Sequence, residues 1–207
     1  MISEPSISAL FFSFFSSSEI ILSILCGKTL YVLDEDVKLD KDKMERVVKS
    51  EGISGGIIPP AYLRWVDLSS MKMIISAGSE ADMSTINKYK NVVRFHNDYG
   101  PTEGTIFATH FDCDKDIPYR TVPIGRPIDN MDVYILNNNS ICGIGMPGEL
   151  CIAGVGVANG YLNQPELTKE KFVLAPEGNR RMYRTGDLAR WLPDGNIEYL
   201  GRIDQQV

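Results

Sequence analysis

Between Ser16 and His96 two hydrophobic periodicities take turns, one of helical and one of strand length, and this alternation constrains the fold more than any other property of the sequence. Ser16, Ser17 or Ser18 caps a helix whose apolar residues run through Ile20, Ile21, Ile24 and Leu25 until Gly27 ends it. Thr29 to Leu33 then reads as a buried strand. A helix from about Lys41 to Ser50 follows, then a strand near Ile53 to Ile58 that stops at Pro59-Pro60. A strand at Met71 to Ser76, a helix at Met83 to Tyr89 and a strand at Val92 to His96 complete the series. Helices and strands alternating at these lengths predict a parallel α/β sheet. Ligands of such sheets bind outside the carboxyl ends of strands, where Ser76-Ala77-Gly78 and Asn97 to Glu103 fall.

After about Thr121 the rhythm changes to short strands broken by Asn137-Asn138-Asn139, Met146-Pro147-Gly148 and Pro193-Asp194-Gly195-Asn196, which predicts an antiparallel, barrel-like unit. One short helix interrupts it, with Pro165 in its first turn and Glu166 complementing its dipole. The 207 residues, 43% of them hydrophobic, are enough for one or two compact units. A net charge of -6 speaks against a nucleic-acid partner, which a basic face would attract. Ser13, Ser16, Ser17, Ser18, Glu19 and Lys28 interrupt the apolar stretch from Ile7 to Leu33, so no membrane span is expected there, and the start lacks the basic region of a secretory signal. Cys26, Cys113, Cys142 and Cys151 form no C-x-x-C pair and, with His96 and His110, no zinc spacing; they read as buried reduced thiols of a cytoplasmic protein.

The chemistry concentrates in His96-Asn97-Asp98-Tyr99-Gly100-Pro101-Thr102-Glu103. Tyr99 offers a stacking ring, Gly100 lets the main chain approach a ligand, and Pro101 fixes a turn. The Thr102 hydroxyl suits a phosphate oxygen, and Glu103 suits Mg2+, a cation that prefers oxygen ligands. Two other glycine runs fail as phosphate loops. Gly27-Lys28-Thr29 lacks the earlier glycine, where Leu22 stands, and runs from helix to strand; Gly154-Val155-Gly156 has Asn159 at the third glycine position and no βαβ unit around it. His96 reads as a structural histidine, and His110 as a strand residue without a partner.

Two further segments join the first: Gly148-Glu149-Leu150-Cys151-Ile152-Ala153-Gly154 running on to Gly160-Tyr161-Leu162, then Tyr183-Arg184-Thr185-Gly186-Asp187-Leu188 with Asp194-Gly195-Asn196-Ile197-Glu198-Tyr199-Leu200-Gly201-Arg202-Ile203-Asp204. In this order and spacing the chain resembles the adenylation domains of nonribosomal peptide synthetases, within the superfamily of acyl-adenylate-forming ligases. The resemblance implies the rear part of a flavodoxin-like parallel α/β lobe over residues 1–121, a small distorted antiparallel β-barrel over 122–203, and a hinge at 204–207 with the C-terminal lobe absent. It implies an enzyme that binds ATP and Mg2+, activates an amino or related carboxylic acid as acyl-AMP, and passes it to the phosphopantetheine thiol of a peptidyl carrier protein among neighbouring synthetase domains. A fatty-acid or aryl-acid ligase of the same superfamily, or a non-catalytic module of the same fold, is the alternative. The fragment alone is expected to be inactive.

By the same resemblance Asn97, Tyr99, Gly100, Asp187, Tyr199 and Arg202 belong to the nucleotide, with Asp187 accepting from both ribose hydroxyls and Arg202 reaching phosphate or ribose. Thr102 and Glu103 are matched to phosphate and magnesium, and Asp204 to the hinge. The acid pocket is matched to Phe14, Phe15, Ser18, Ile57, Ile75, Ala77, Asp98, Ile106 and Phe107. Here the chain departs from its relatives, because Phe14 occupies the position of the aspartate that grips an α-ammonium group. The implied substrate is an acid lacking a conventional α-ammonium, such as an α-keto, hydroxy or aryl-type acid, or an amino acid whose amine sits elsewhere and pairs with Asp98.

Overall fold

A computed structural model describes residues 7–10, 16–113 and 117–203, and the chain divides into two compact units. The first comprises Met1–Asn97 with Asp112–Arg120, the second Asp98–Phe111 with Thr121–Val207.

The first unit is a parallel α/β sheet. Its strands β1 (Ile7–Leu10), β2 (Thr29–Val32), β3 (Ile53–Ile58), β4 (Met73–Ser76) and the first part of β5 (Arg94–Tyr99) lie in the order β2-β1-β3-β4-β5. Each pair is parallel, and Ser76 stands beside Asn97 at the carboxyl ends of β4 and β5. The helices are α1 (Ser16–Leu25), α2 (Glu35–Lys38), α3 (Lys41–Ser50), α4 (Pro60–Trp65) and α5 (Met83–Tyr89). Asp40 and Asp82 cap α3 and α5, accepting from the Lys43 and Thr85 amides at 3.0 and 2.8 Å and so satisfying donors that a helix start leaves unpaired. Met44 and Val48 of α3, Leu63 of α4, Ile86 and Tyr89 of α5, and Ile57, Ile58, Ile74 and Phe95 of the strands fill the core. The Tyr89 hydroxyl, buried with its ring, donates to the Val66 carbonyl at 2.6 Å.

Three expectations need correction in this unit. Thr29 to Leu33 was expected to be buried, yet only Leu33 is: among the described residues β2 has one strand neighbour, and Val32 is exposed. The Pro59-Pro60 stop is also a start: Pro60 occupies the first turn of α4, where its missing N–H costs nothing. Of the four thiols, expected to be buried, Cys26 is exposed and the other three are buried.

The second unit is built on an antiparallel sheet of β8 (Met131–Asn137), β9 (Ser140–Ile141), β10 (Gly148–Gly154), β11 (Phe172–Leu174), β12 (Arg181–Trp191) and β13 (Ile197–Arg202), ordered β11-β12-β10-β8-β9 with β13 on the other side of β12. The short strands β6 (Thr109–Asp112) and β7 (Arg126–Pro127) pair antiparallel with each other and follow β5 in the strand order of the first sheet, and α6 (Pro165–Lys171) precedes β11. β10 is buried on both faces: Leu150 joins Val133, Ile135, Ala189 and Ile197, whereas Cys151 and Ala153 join Leu136 and Met182. The sheet curls into a half-barrel, as the short strands and turn signals predict, and the register shifts in β12 add to the twist that curls it. Burial pushes the Cys151 thiol up to about 12, so it stays a protonated packing group. No helix among the described residues is long and apolar enough to cross a membrane.

Candidate nucleotide and acid site

Asp187 owes its place to an irregularity in β12. Leu188 pairs with Glu149 and Arg184 with Cys151, so Thr185, Gly186 and Asp187 together oppose Leu150 alone, and Gly186 takes a φ of +74°. A bulge of this kind re-aims a side chain and leaves backbone donors to be satisfied. Glu149 Oε1 accepts from the Gly186 amide at 3.2 Å, the Thr185 hydroxyl accepts from the Asp187 amide at 3.0 Å and itself donates to the Leu150 carbonyl at 2.7 Å. Arg184 holds Glu149 through Nε at 2.8 Å. The isolated glycine of Thr185-Gly186-Asp187 was a legible bulge signal; the Glu149-Arg184 pair that supports it was missed.

The Asp187 carboxylate is buried and engaged on both oxygens. The Tyr99 hydroxyl donates to Oδ2, and Arg202 Nη1 lies 3.0 Å from Oδ1 and 3.0 Å from the Thr185 carbonyl. Burial, and then the charge of Asp187, raise the Tyr99 phenol well above its ordinary value, so it remains a donor. Tyr199 tilts against Tyr99 with ring centroids 6.3 Å apart, and both rings pack on the Ile135 and Leu150 cluster. Three residues matched separately to the nucleotide therefore meet at the Asp187 carboxyl, directly or through one ring. Arg202, matched to phosphate or ribose, is here the counter-ion of Asp187.

Tyr99 ends β5, which runs on past the expected stop at His96, and a 3-10 turn follows at Thr102–Gly104. The space beside Gly100 is taken by the chain's own return: an added Cβ would stand 2.4 Å from the Ile106 carbonyl oxygen and 2.8 Å from Phe107 Cα. Gly100→Ala is accordingly expected to lose about 1–3 kcal/mol of stability in denaturant titration, the usual penalty of overpacking. Gly104→Ala, whose Cβ would meet nothing nearer than 3.6 Å, serves as the comparison and should lose clearly less.

Thr102 is exposed, and Glu103 is half-buried. Tyr161 Oη donates to Glu103 Oε1 at 2.5 Å and lies 3.2 Å from Tyr183 Oη. Burial, and then the Glu103 bond, raise the Tyr161 phenol, so it too stays protonated. The Ala158 amide donates to the Glu103 carbonyl at 2.8 Å, and the Thr105 hydroxyl donates to the Gly156 carbonyl at 2.6 Å. Thr105 sits at φ +77°, ψ -81°, near the rare and strained γ-turn, a conformation that persists only where surrounding contacts impose it. Tyr161 and Thr105 were not singled out from the sequence, and no spacing rule marks them. A surface concavity of about 750 Å3 has Tyr161, Phe172 and Arg181 on its wall, but none of the residues matched to the nucleotide.

Of the residues matched to the acid pocket, Ser18, Ile57, Ile75 and Ala77 lie in the first unit, and Asp98, Ile106 and Phe107 in the second. Asn97 is in the first unit and buried. Phe14, Phe15 and the hinge residue Asp204 lie outside the described residues. The buried Ser18 hydroxyl has no hydrogen-bond partner among the described residues. His110, expected to lack a partner, has its Nδ1 2.7 Å from Asp98 Oδ1, because adjacent strands bring their side chains together.

The AMP-binding enzyme family matches residues 5–162. The chain belongs to this family. Tyrocidine synthase 2 of Brevibacillus parabrevis is 46% identical over 189 residues, which are 89% of this chain and 5% of that protein. Gramicidin S synthase 1 of Brevibacillus brevis is 44% identical over 194 residues, 91% of this chain and 18% of that synthase. This AMP-binding chain thus spans a small part of the length of the curated relatives it matches. Among solved structures, the nonribosomal peptide synthetase FmoA3 superposes with a TM-score of 0.88 at 28% identity, covering 96% of this chain and 23% of its own, and its AMPPNP-bound form matches equally.

Proposed function

We propose that this chain is part of an adenylation domain that activates an amino or related carboxylic acid as acyl-AMP, for transfer to the phosphopantetheine thiol of a carrier protein in nonribosomal peptide synthesis. The observation that carries the reading is the meeting of Tyr99 with Asp187, 88 residues apart in sequence, at one buried carboxylate in a chain of the AMP-binding family. The names of its relatives and the AMPPNP-bound form of its structural neighbour support it.

In the reaction the substrate carboxylate attacks the α-phosphate of ATP and pyrophosphate leaves. The residues of this chain bind and orient. Asp187 holds the ribose, Tyr99 and Tyr199 flank the adenine beside Asn97, and Arg202 orients Asp187 or reaches the nucleotide in its turn. Gly100 keeps the turn close, and Thr102 meets phosphate oxygen. Among the described residues no three His, Cys, Asp or Glu side chains cluster as a metal cage. A lone carboxylate nevertheless fits Mg2+, which usually takes one or two carboxylates and completes its shell with phosphate oxygens and water. Glu103, oriented by Tyr161, is that carboxylate; the bound ion supplies charge neutralisation to the phosphates. The acid contacts Ser18, Ile57, Ile75, Ala77, Asp98, Ile106 and Phe107, together with Phe14 and Phe15, and the orphaned Ser18 hydroxyl supports this assignment. Asp204 is proposed as the hinge, and a cytoplasmic setting is proposed for the chain.

The test is ATP-pyrophosphate exchange by the complete enzyme with a panel of amino, hydroxy, keto, aryl and fatty acids. Exchange with an amino, hydroxy or keto acid supports the reading, exchange only with fatty or aryl acids moves the chain to another ligase class, and none with any acid refutes it.

A further inference from the structure

Asp98 is an unusual residue to bury. It stands near the end of β5 with 8% of its side chain exposed, and among the described residues its side chain bonds to His110 on β6. Among the described residues no other charged or titratable group acts on its carboxyl. At the residues matched to the acid pocket Asp98 is also the sole charge: Phe14, Phe15, Ser18, Ile57, Ile75, Ala77, Ile106 and Phe107 carry none.

We propose that His110 is a positioning residue for the acid pocket: its hydrogen bond holds the buried Asp98 carboxyl in place, and so lets the site select an acid bearing an ammonium group over its hydroxy counterpart. The inference rests on the adenylation reading and names the substrate discrimination of that same site.

The physical case has three parts. A buried carboxylate without a donor takes up a proton, because desolvation penalises its charged form. Here burial pushes Asp98 up to about 6, while the charge and hydrogen bond of His110 pull it down. Asp98 is therefore ionised at neutral pH and takes up a proton as the pH falls through about 6, whereas an α-ammonium remains charged across that range. His110 is also held in place. Its backbone pairs with Arg126, and Gly125, at φ +84°, comes so close that a Cβ there would lie 1.8 Å from the His110 carbonyl oxygen. Its side chain keeps 43% exposure, and its Nδ1 lies 2.7 Å from Asp98 Oδ1.

The experiment follows pyrophosphate exchange by the complete enzyme from pH 5 to 8.5 with two acids of one side chain, the α-amino and the α-hydroxy form. The readout is the ratio of their kcat/KM values. In the wild type this ratio should rise about tenfold or more as pH passes through about 6, chiefly through KM. His110→Leu should move that midpoint upward by about one unit or more. His110→Asn, which retains an N–H near the Nδ1 position, should restore it. Asp98→Asn should flatten the profile and leave the ratio low. The proposal is overturned by a His110→Leu profile that superimposes on the wild type, or by an Asp98→Asn enzyme that keeps the wild-type ratio. If His110→Leu does not fold, His110→Asn and Asp98→Asn decide in the same way, and a pH-independent wild-type ratio is fatal. Absence of exchange with every acid in the wild type removes the adenylation reading, and this inference with it.

Discussion

Asp187→Ala is expected to raise the ATP KM of the complete enzyme by about 10- to 100-fold, since a hydrogen bond to a charged group contributes about 1.5–3 kcal/mol and each 1.4 kcal/mol is a factor of ten. The same substitution strips Arg202 and Tyr99 of their acceptor. Breaking a buried ion pair from one side costs about 3–5 kcal/mol, but 32% of the Arg202 side chain is exposed and water screens it, so the stability loss should lie at or below the lower figure. Asp187→Asn separates the two effects, because an amide keeps an acceptor for Tyr99 while losing the ion pair. Isothermal titration with ATP and a denaturant titration on the same preparations check both numbers. Unchanged ATP binding, with altered preference among acids, would show that Asp187 serves the acid and not the nucleotide.

Glu103→Gln should slow the chemical step about 100- to 1000-fold with little change in ATP affinity, the size of loss seen when one preorganised electrostatic contact is removed. Tyr161→Phe deletes only the donor that orients Glu103, and its effect should be about tenfold or less. Neither variant should alter which acid is preferred. Single-turnover formation of acyl-AMP at several Mg2+ concentrations provides the check. A Glu103→Gln enzyme with wild-type turnover at limiting Mg2+ would detach Glu103 from the metal.

Elements whose causes are local were readable in the sequence. The helices Lys41–Ser50 and Met83–Tyr89 and the strand Ile53–Ile58 follow from short-range periodicity and capping, and the structure has each at those residues. The short helices at Glu35–Lys38 and Pro60–Trp65 were not, because a single turn holds too few residues to display a period. Val32 was misread for a related reason: an apolar run tells how a strand is composed, not whether it has a neighbour on each side. The site shows the same division. Tyr99, Glu103 and Asp187 announce themselves in short segments, whereas Tyr161, which bonds Glu103, and Glu149, which bonds the Gly186 amide, come from other strands and loops and become visible only when long-range pairing is known. The bulge at Gly186 is the intermediate case, a local signal whose partners are remote.

The segment Asp98–Phe111 belongs to the second unit although the chain returns to the first at Asp112. This interleaving bears on how such enzymes can be recombined. No single crossover point yields two self-contained halves, because a junction at any one peptide bond separates at least one unit from a piece of itself. The excursion also bundles Asp98, Ile106 and Phe107, matched to the acid, with Thr102 and Glu103, matched to phosphate and metal. A graft that imports this loop from a relative therefore moves the residues matched to the acid and those matched to phosphate and metal together, and it must bring docking positions for Tyr161 and Gly156 with it.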